Sequence, residues 1–78
     1  MRSEIDQYVI DQIRIRRKKL KVSQEELAYA LGFESKGYIG KIESKNPKYS
    51  DCYNIFHLNQ IAKKLRCSPK DFWPEKPL

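Results

Sequence analysis

Cysteine and histidine are scarce in this chain: two of the first, Cys52 and Cys67, and one of the second, His57, in 78 residues. So few ligands, so widely spaced, make neither a disulfide scaffold nor a zinc site, and the cysteines read as reduced thiols. A Ser-His-Asp or Cys-His arrangement would depend on the single imidazole, and the three glycines form no phosphate-cradling loop. Neither an enzyme nor a bound metal or cofactor is expected. No apolar run approaches the roughly 18 residues that span a bilayer, so no membrane association is expected. The first residues, 1–11, mix acids with apolar side chains and lack the basic start and small-residue cleavage site of a secretory signal. The expected compartment is the cytoplasm. Strand-like alternation, internal repeats and low-complexity stretches are also missing. What is left is one small domain, residues 1–78, with a modest core.

Charge, by contrast, is abundant and unevenly placed. The formal net charge is +6. Between Arg14 and Lys48 stand ten basic residues (Arg14, Arg16, Arg17, Lys18, Lys19, Lys21, Lys36, Lys41, Lys45, Lys48) and four acidic ones, so this segment carries the whole excess. A concentrated basic surface attracts polyanions and steers their approach. Charge alone does not separate a nucleic-acid face from a solvated one.

Apolar spacing predicts helices throughout. Ile5, Val9, Ile13 and Leu20 mark one stripe of a first helix over about 4–20. Arg17 falls on that stripe and needs a partner if buried. Ser23-Gln24-Glu25-Glu26 fits a capping box and opens a second helix over 24–31, with Leu27, Ala28 and Leu31 inward. Gly32 stops it, because glycine accepts the left-handed conformation without a Cβ penalty. Ser35 reads as the cap of a third helix running to about Ser44, with Ile39, Ile42 and Glu43 inward. Glu43 is the lone anion on its stripe as Arg17 is the lone cation on its own, so the two are expected to form an inter-helix ion pair. Asn46-Pro47 ends the third helix. A fourth follows over about 55–66, with Leu58, Ile61, Ala62 and Leu65 on one face. Ser68-Pro69-Lys70-Asp71 opens a brief fifth, bearing Phe72 and Trp73, before a tail over 74–78.

The stretch from Gln24 to Glu43 is two short helices joined through a glycine, with a small residue, Ala28, where they cross. That is the helix-turn-helix unit, placed here at about 24–44. In IRIRRKKLKVSQEELAYALGF, YIGKIES and HLNQIAKKLRCSPKDFW, the sequence resembles the Cro/repressor-type, or XRE, helix-turn-helix family over nearly its whole length. The resemblance implies an all-α, compact five-helix bundle like the lambda-repressor DNA-binding domain, double-stranded DNA as ligand, and a transcriptional regulator, usually a repressor. It also implies a phosphate contact at Gln24, groove-facing positions at Ser35, Lys36, Gly37, Tyr38 and Lys41, and an arginine–glutamate pair matching Arg17 and Glu43. The stretch between Gly32 and Ile39 is one residue longer than in the shortest members, which shifts the start of the third helix.

Lys36, Tyr38 and Lys41 are therefore candidate base readers, with Ser35 and Gly37 beside them. Lys45 and Lys48 flank the exit loop as candidate phosphate contacts. Gly37 and Gly40 weaken the third helix by about 1 kcal/mol each against alanine. Two accounts fit: close approach of the backbone to DNA, or a helix that orders on binding. Phe72 and Trp73 are expected to cap the first helix, with a homodimer interface as the alternative. A second function stays open as well. In it the chain is an interaction module, for example an antitoxin, whose main partner is a protein met through Tyr49, Tyr53 and Phe56 in the loop 47–56.

Overall fold

The computed structural model describes residues 2–78. Among them are four α-helices, α1 (Glu4–Lys19), α2 (Gln24–Ala30), α3 (Gly37–Glu43) and α4 (Ile55–Lys64), then a 3-10 turn over Pro69–Phe72, and no strand. The expected fifth helix is thus only one turn. Pro69 starts it, Trp73 leaves it in extended conformation and Pro74 follows, so the segment is too short for i→i+4 bonding. The Trp73 N–H closes it on the Lys70 carbonyl at 3.1 Å.

Caps fix where the helices begin. Ser3 accepts from the Asp6 N–H, and Ser23 and Glu26 form a reciprocal capping box. Asn54 and His57 form another at α4: the Asn54 side chain accepts from the His57 N–H at 2.8 Å, and the His57 ring accepts from the Asn54 N–H at 3.3 Å. Three helices stop in one way. The amides of Val22, Phe33 and Cys67 each reach back to the carbonyl five residues earlier, on Arg17, Ala28 and Ala62, at 3.0 Å. Each stop needs a left-handed residue just before that amide. Gly32 supplies one at φ +87°, but Lys21 and Arg66 sit at φ 59° and 58°, where a Cβ is unfavourable.

The core is one cluster. Ile13, Leu27, Ala28, Ile39, Ile42, Ile61 and Leu65 are fully buried, with Ile10 and Phe72 nearly so. The α1 stripe differs from the expected one: Val9, Ile10, Ile13 and Arg17 point inward. Leu20 is the C-cap beside the Lys21 turn and is left 46% exposed. Phe72 closes the bundle between α1 and α4, whereas Trp73, expected beside it in the core, projects into solvent. α3 rests on α1 and α2, so both hold its inner face.

Candidate nucleic-acid interface

α2 and α3 meet at a bend that the sequence builds from three residues. Ala28, fully buried, has no side chain to hold the helices apart. Gly32 takes the left-handed turn. Phe33 then packs partly buried against the core. Below α3, Ile39 and Ile42 are wholly removed from water. Truncating either to alanine in such a site costs about 2–5 kcal/mol, so the orientation of this short helix is held by its inner face.

An ionic clamp completes that inner face. Arg17 donates from Nε to Glu43 Oε2 at 2.9 Å and from Nη2 to Glu43 Oε1 at 2.7 Å, a two-pronged pairing. Its Nη1 donates to the Val22 carbonyl at 2.8 Å, tying in the turn after α1. The Arg17 and Glu43 side chains are 8% and 5% exposed. Gln24 joins them, its Nε2 donating to Glu43 Oε1 at 3.1 Å. Gln24 is therefore held at the junction of α2 and α3. One amide proton is used by Glu43, which leaves the second N–H of the same group as a further donor.

The outer side of α3 is different. Ser35, Lys36, Gly37, Lys41, Lys45 and Lys48 are all exposed. Between Ser35 and Lys48 the only acid is Glu43, already tied to Arg17, so nothing in that stretch opposes the four lysines. The turn after α3 is ordered by its own side chains. Ser44 Oγ accepts from the Asn46 N–H, and Asn46 Oδ1 accepts from the Lys48 N–H, both at 3.1 Å. Lys45 and Lys48 thus stand on a defined loop, with the Lys48 ammonium 5.1 Å from the centre of the Tyr49 ring.

Two expected details are corrected. Ser35 does not cap α3. The cap position is Lys36, without a side-chain bond, and α3 starts at Gly37 while Ser35 Oγ accepts from the Gly37 N–H at 3.4 Å. The cap and the start of α3 therefore lie one place further along than expected. Tyr38, expected among the groove-facing residues, is drawn inward. Its hydroxyl donates to the Cys52 carbonyl at 3.1 Å, and its ring lies 4.7 Å from Phe33 and 5.7 Å from His57, centre to centre. Burial, then the neighbouring Asp51, pushes its phenol up, so it stays a donor. Tyr38 fastens the start of α3 to α4.

Arg2 belongs to the site and carries no signal in the sequence. Its Nε donates to the Asp51 carbonyl at 2.8 Å, Nη1 to Gln7 Oε1 at 3.2 Å and Nη2 to the Lys41 carbonyl at 3.3 Å. A cation at the carbonyl end of α3 adds a second donor to the Lys41 carbonyl, which also accepts from the Ser44 N–H at 3.3 Å, and complements the helix dipole. The contacts lie 39 and 49 residues away along the chain, beyond the reach of any periodicity. Burial pushes the Cys52 and Cys67 thiols up, so neither is poised as a thiolate.

A family model described as helix-turn-helix matches residues 13–72, a span that runs from the middle of α1 to the 3-10 turn. No curated protein and no solved structure matches the chain.

Proposed function

The chain belongs to the Cro/repressor-type helix-turn-helix family of DNA-binding transcription regulators, and from that premise we propose that it is a repressor acting by occupying a specific double-stranded site. The observation that carries the proposal is the outer side of α3: four exposed lysines in a stretch, Ser35–Lys48, whose one acid is tied to Arg17, on a helix and loop whose orientation is fixed from beneath.

In this reading α3 enters the major groove. Lys36 and Lys41 meet base edges, guanine O6 and N7 being the acceptors a lysine reaches best, with Ser35 and the Gly37 backbone alongside. Gln24, Lys45 and Lys48 grip phosphates on either side, which sets register and supplies salt-dependent affinity without sequence information. Tyr38 holds the angle of α3 in place of reading a base. Occupation is then sufficient for repression, since a promoter segment covered by the domain is closed to other proteins.

Selection from a random duplex library at physiological salt tests the proposal. Enrichment of a short motif is expected. Diffuse binding that vanishes as salt rises, with no motif, would contradict it and favour a module whose main partner is a protein.

A further inference from the structure

Away from the lysines, one face of the molecule is apolar. Ile55 is 83% exposed, Phe56 61% and Trp73 52%. All three border a groove of about 610 Å³ between α1 and α4, with Val9 and Tyr53 in its wall. Asp6 is its one charged residue among those described. The fold does not require this exposure. The buried stripe of α4 is Leu58, Ile61 and Ala62, and Ile55 and Phe56 precede it in the first turn after the Asn54 cap. A concavity of this size, lined mainly by aromatic and aliphatic side chains with very few polar groups, has the make-up of a small-molecule site.

We infer that the groove binds a small lipophilic organic cation. Asp6 decides the sign of the charge. Its carboxylate accepts from the Ser3 hydroxyl at 2.8 Å and lies beside the Cys52 thiol, both neutral groups. Among the described residues no ammonium or guanidinium forms a salt bridge with it. The groove therefore holds a negative charge that nothing offsets, against an apolar wall that weakens the competition from water. Three aromatic side chains, Tyr53, Phe56 and Trp73, line the same space, and the face of an aromatic ring attracts a cation. An anion would find no cationic side chain in this lining and would face the charge of Asp6. The groove residues also lie outside the segment from Arg14 to Lys48 that carries the positive excess, so the basic surface does not extend into the site. The groove is linked to α3 by a row of rings. Phe56 lies 6.3 Å from His57, and His57 lies 5.7 Å from Tyr38 at the start of α3, measured between ring centres. An occupant thus rests on the rings that fasten α3.

The site stands apart from the DNA-binding reading, and its test uses no DNA. Trp73 is the single tryptophan of the chain, so its fluorescence reports occupation of the groove. Titration with tetraphenylphosphonium is expected to change that emission saturably, with amide chemical shifts moving around Val9 and residues 55–58. Triphenylphosphine oxide, related in shape but uncharged, is expected to bind about tenfold more weakly. Asp6→Asn keeps the side-chain shape and an acceptor for the Ser3 hydroxyl, and the two probes are expected to bind it alike. Phe56→Ala, at an exposed position, should lose about tenfold for the cation with unchanged helical circular dichroism. Equal affinity of the wild type for the charged and neutral probes overturns the assignment to cations, and that comparison needs no variant to fold. An emission change that does not saturate, or shift changes that fall outside the groove, overturns the site itself.

Discussion

Arg17 and Glu43 place two ionised groups inside a small domain, where each charge depends on the other to offset its lost hydration. With the side chains 8% and 5% exposed, removing one partner should cost about 3–5 kcal/mol, a large share of the 5–15 kcal/mol that holds a typical domain folded. Thermal melts of Arg17→Met, Glu43→Gln and the double variant check this. The double variant should melt well above the sum of the two single losses, whereas additive losses would show that the charges do not depend on each other. His57 offers a second test at the same scale. Burial lowers its pKa from the ordinary value of 6.5, so the unfolded chain takes up the proton first. Stability is then fully present above about pH 6.5 and falls as pH drops below it, towards the lowered value. His57→Gln keeps a side-chain acceptor for the Asn54 N–H and cannot titrate in that window. The wild-type melting temperature should decline relative to this variant between about pH 7 and pH 5. Parallel curves would show that His57 plays no part in the acid response.

At the scale of elements, α3 carries both the weakest helix former and the outer surface. Gly40 lies in its middle, and a Cβ added there would meet only Gln24 Oε1 at 3.8 Å, an ordinary contact. Gly40→Ala should therefore raise stability by about 1 kcal/mol. If the backbone approaches DNA closely at this point, the same change should weaken DNA binding although the protein is more stable. Stability and affinity rising together would favour the alternative, a helix that orders only on binding. How much of this was legible in the sequence varies with the kind of signal. The α2 capping box, the Gly32 stop and the buried faces of α2 and α4 follow from local chemistry and spacing, and each charge of the ion pair is visible as the single ionised residue on an apolar stripe. The same spacing placed Leu20 inward, because it cannot see that α1 ends at Lys19 and turns at Lys21. The placements of Tyr38 and Trp73 are not legible in the pattern for a related reason. Either can lie in or out by pattern, and the decision came from tertiary partners, the Cys52 carbonyl and His57 for Tyr38, and a chain already leaving the bundle for Trp73. Arg2 could not be found at all.

Across the whole molecule, the charge asymmetry of the sequence becomes a division of surfaces. One side presents Lys36, Lys41, Lys45 and Lys48, another presents Ile55, Phe56 and Trp73, and the buried core with its Arg17–Glu43–Gln24 network fixes the first relative to the bundle. The central claim is that α3 reads sequence while the residues around it grip the backbone. Site selection repeated with single variants tests that division most directly. Gln24→Ala and Lys45→Ala should weaken specific and non-specific duplexes by similar factors and leave the enriched motif unchanged. Lys36→Ala or Lys41→Ala should lose about 1–3 kcal/mol on the preferred site and relax the motif at one or two positions. If both of these lysine variants return the full wild-type motif and lose only salt dependence, α3 does not read bases through them and the account is contradicted.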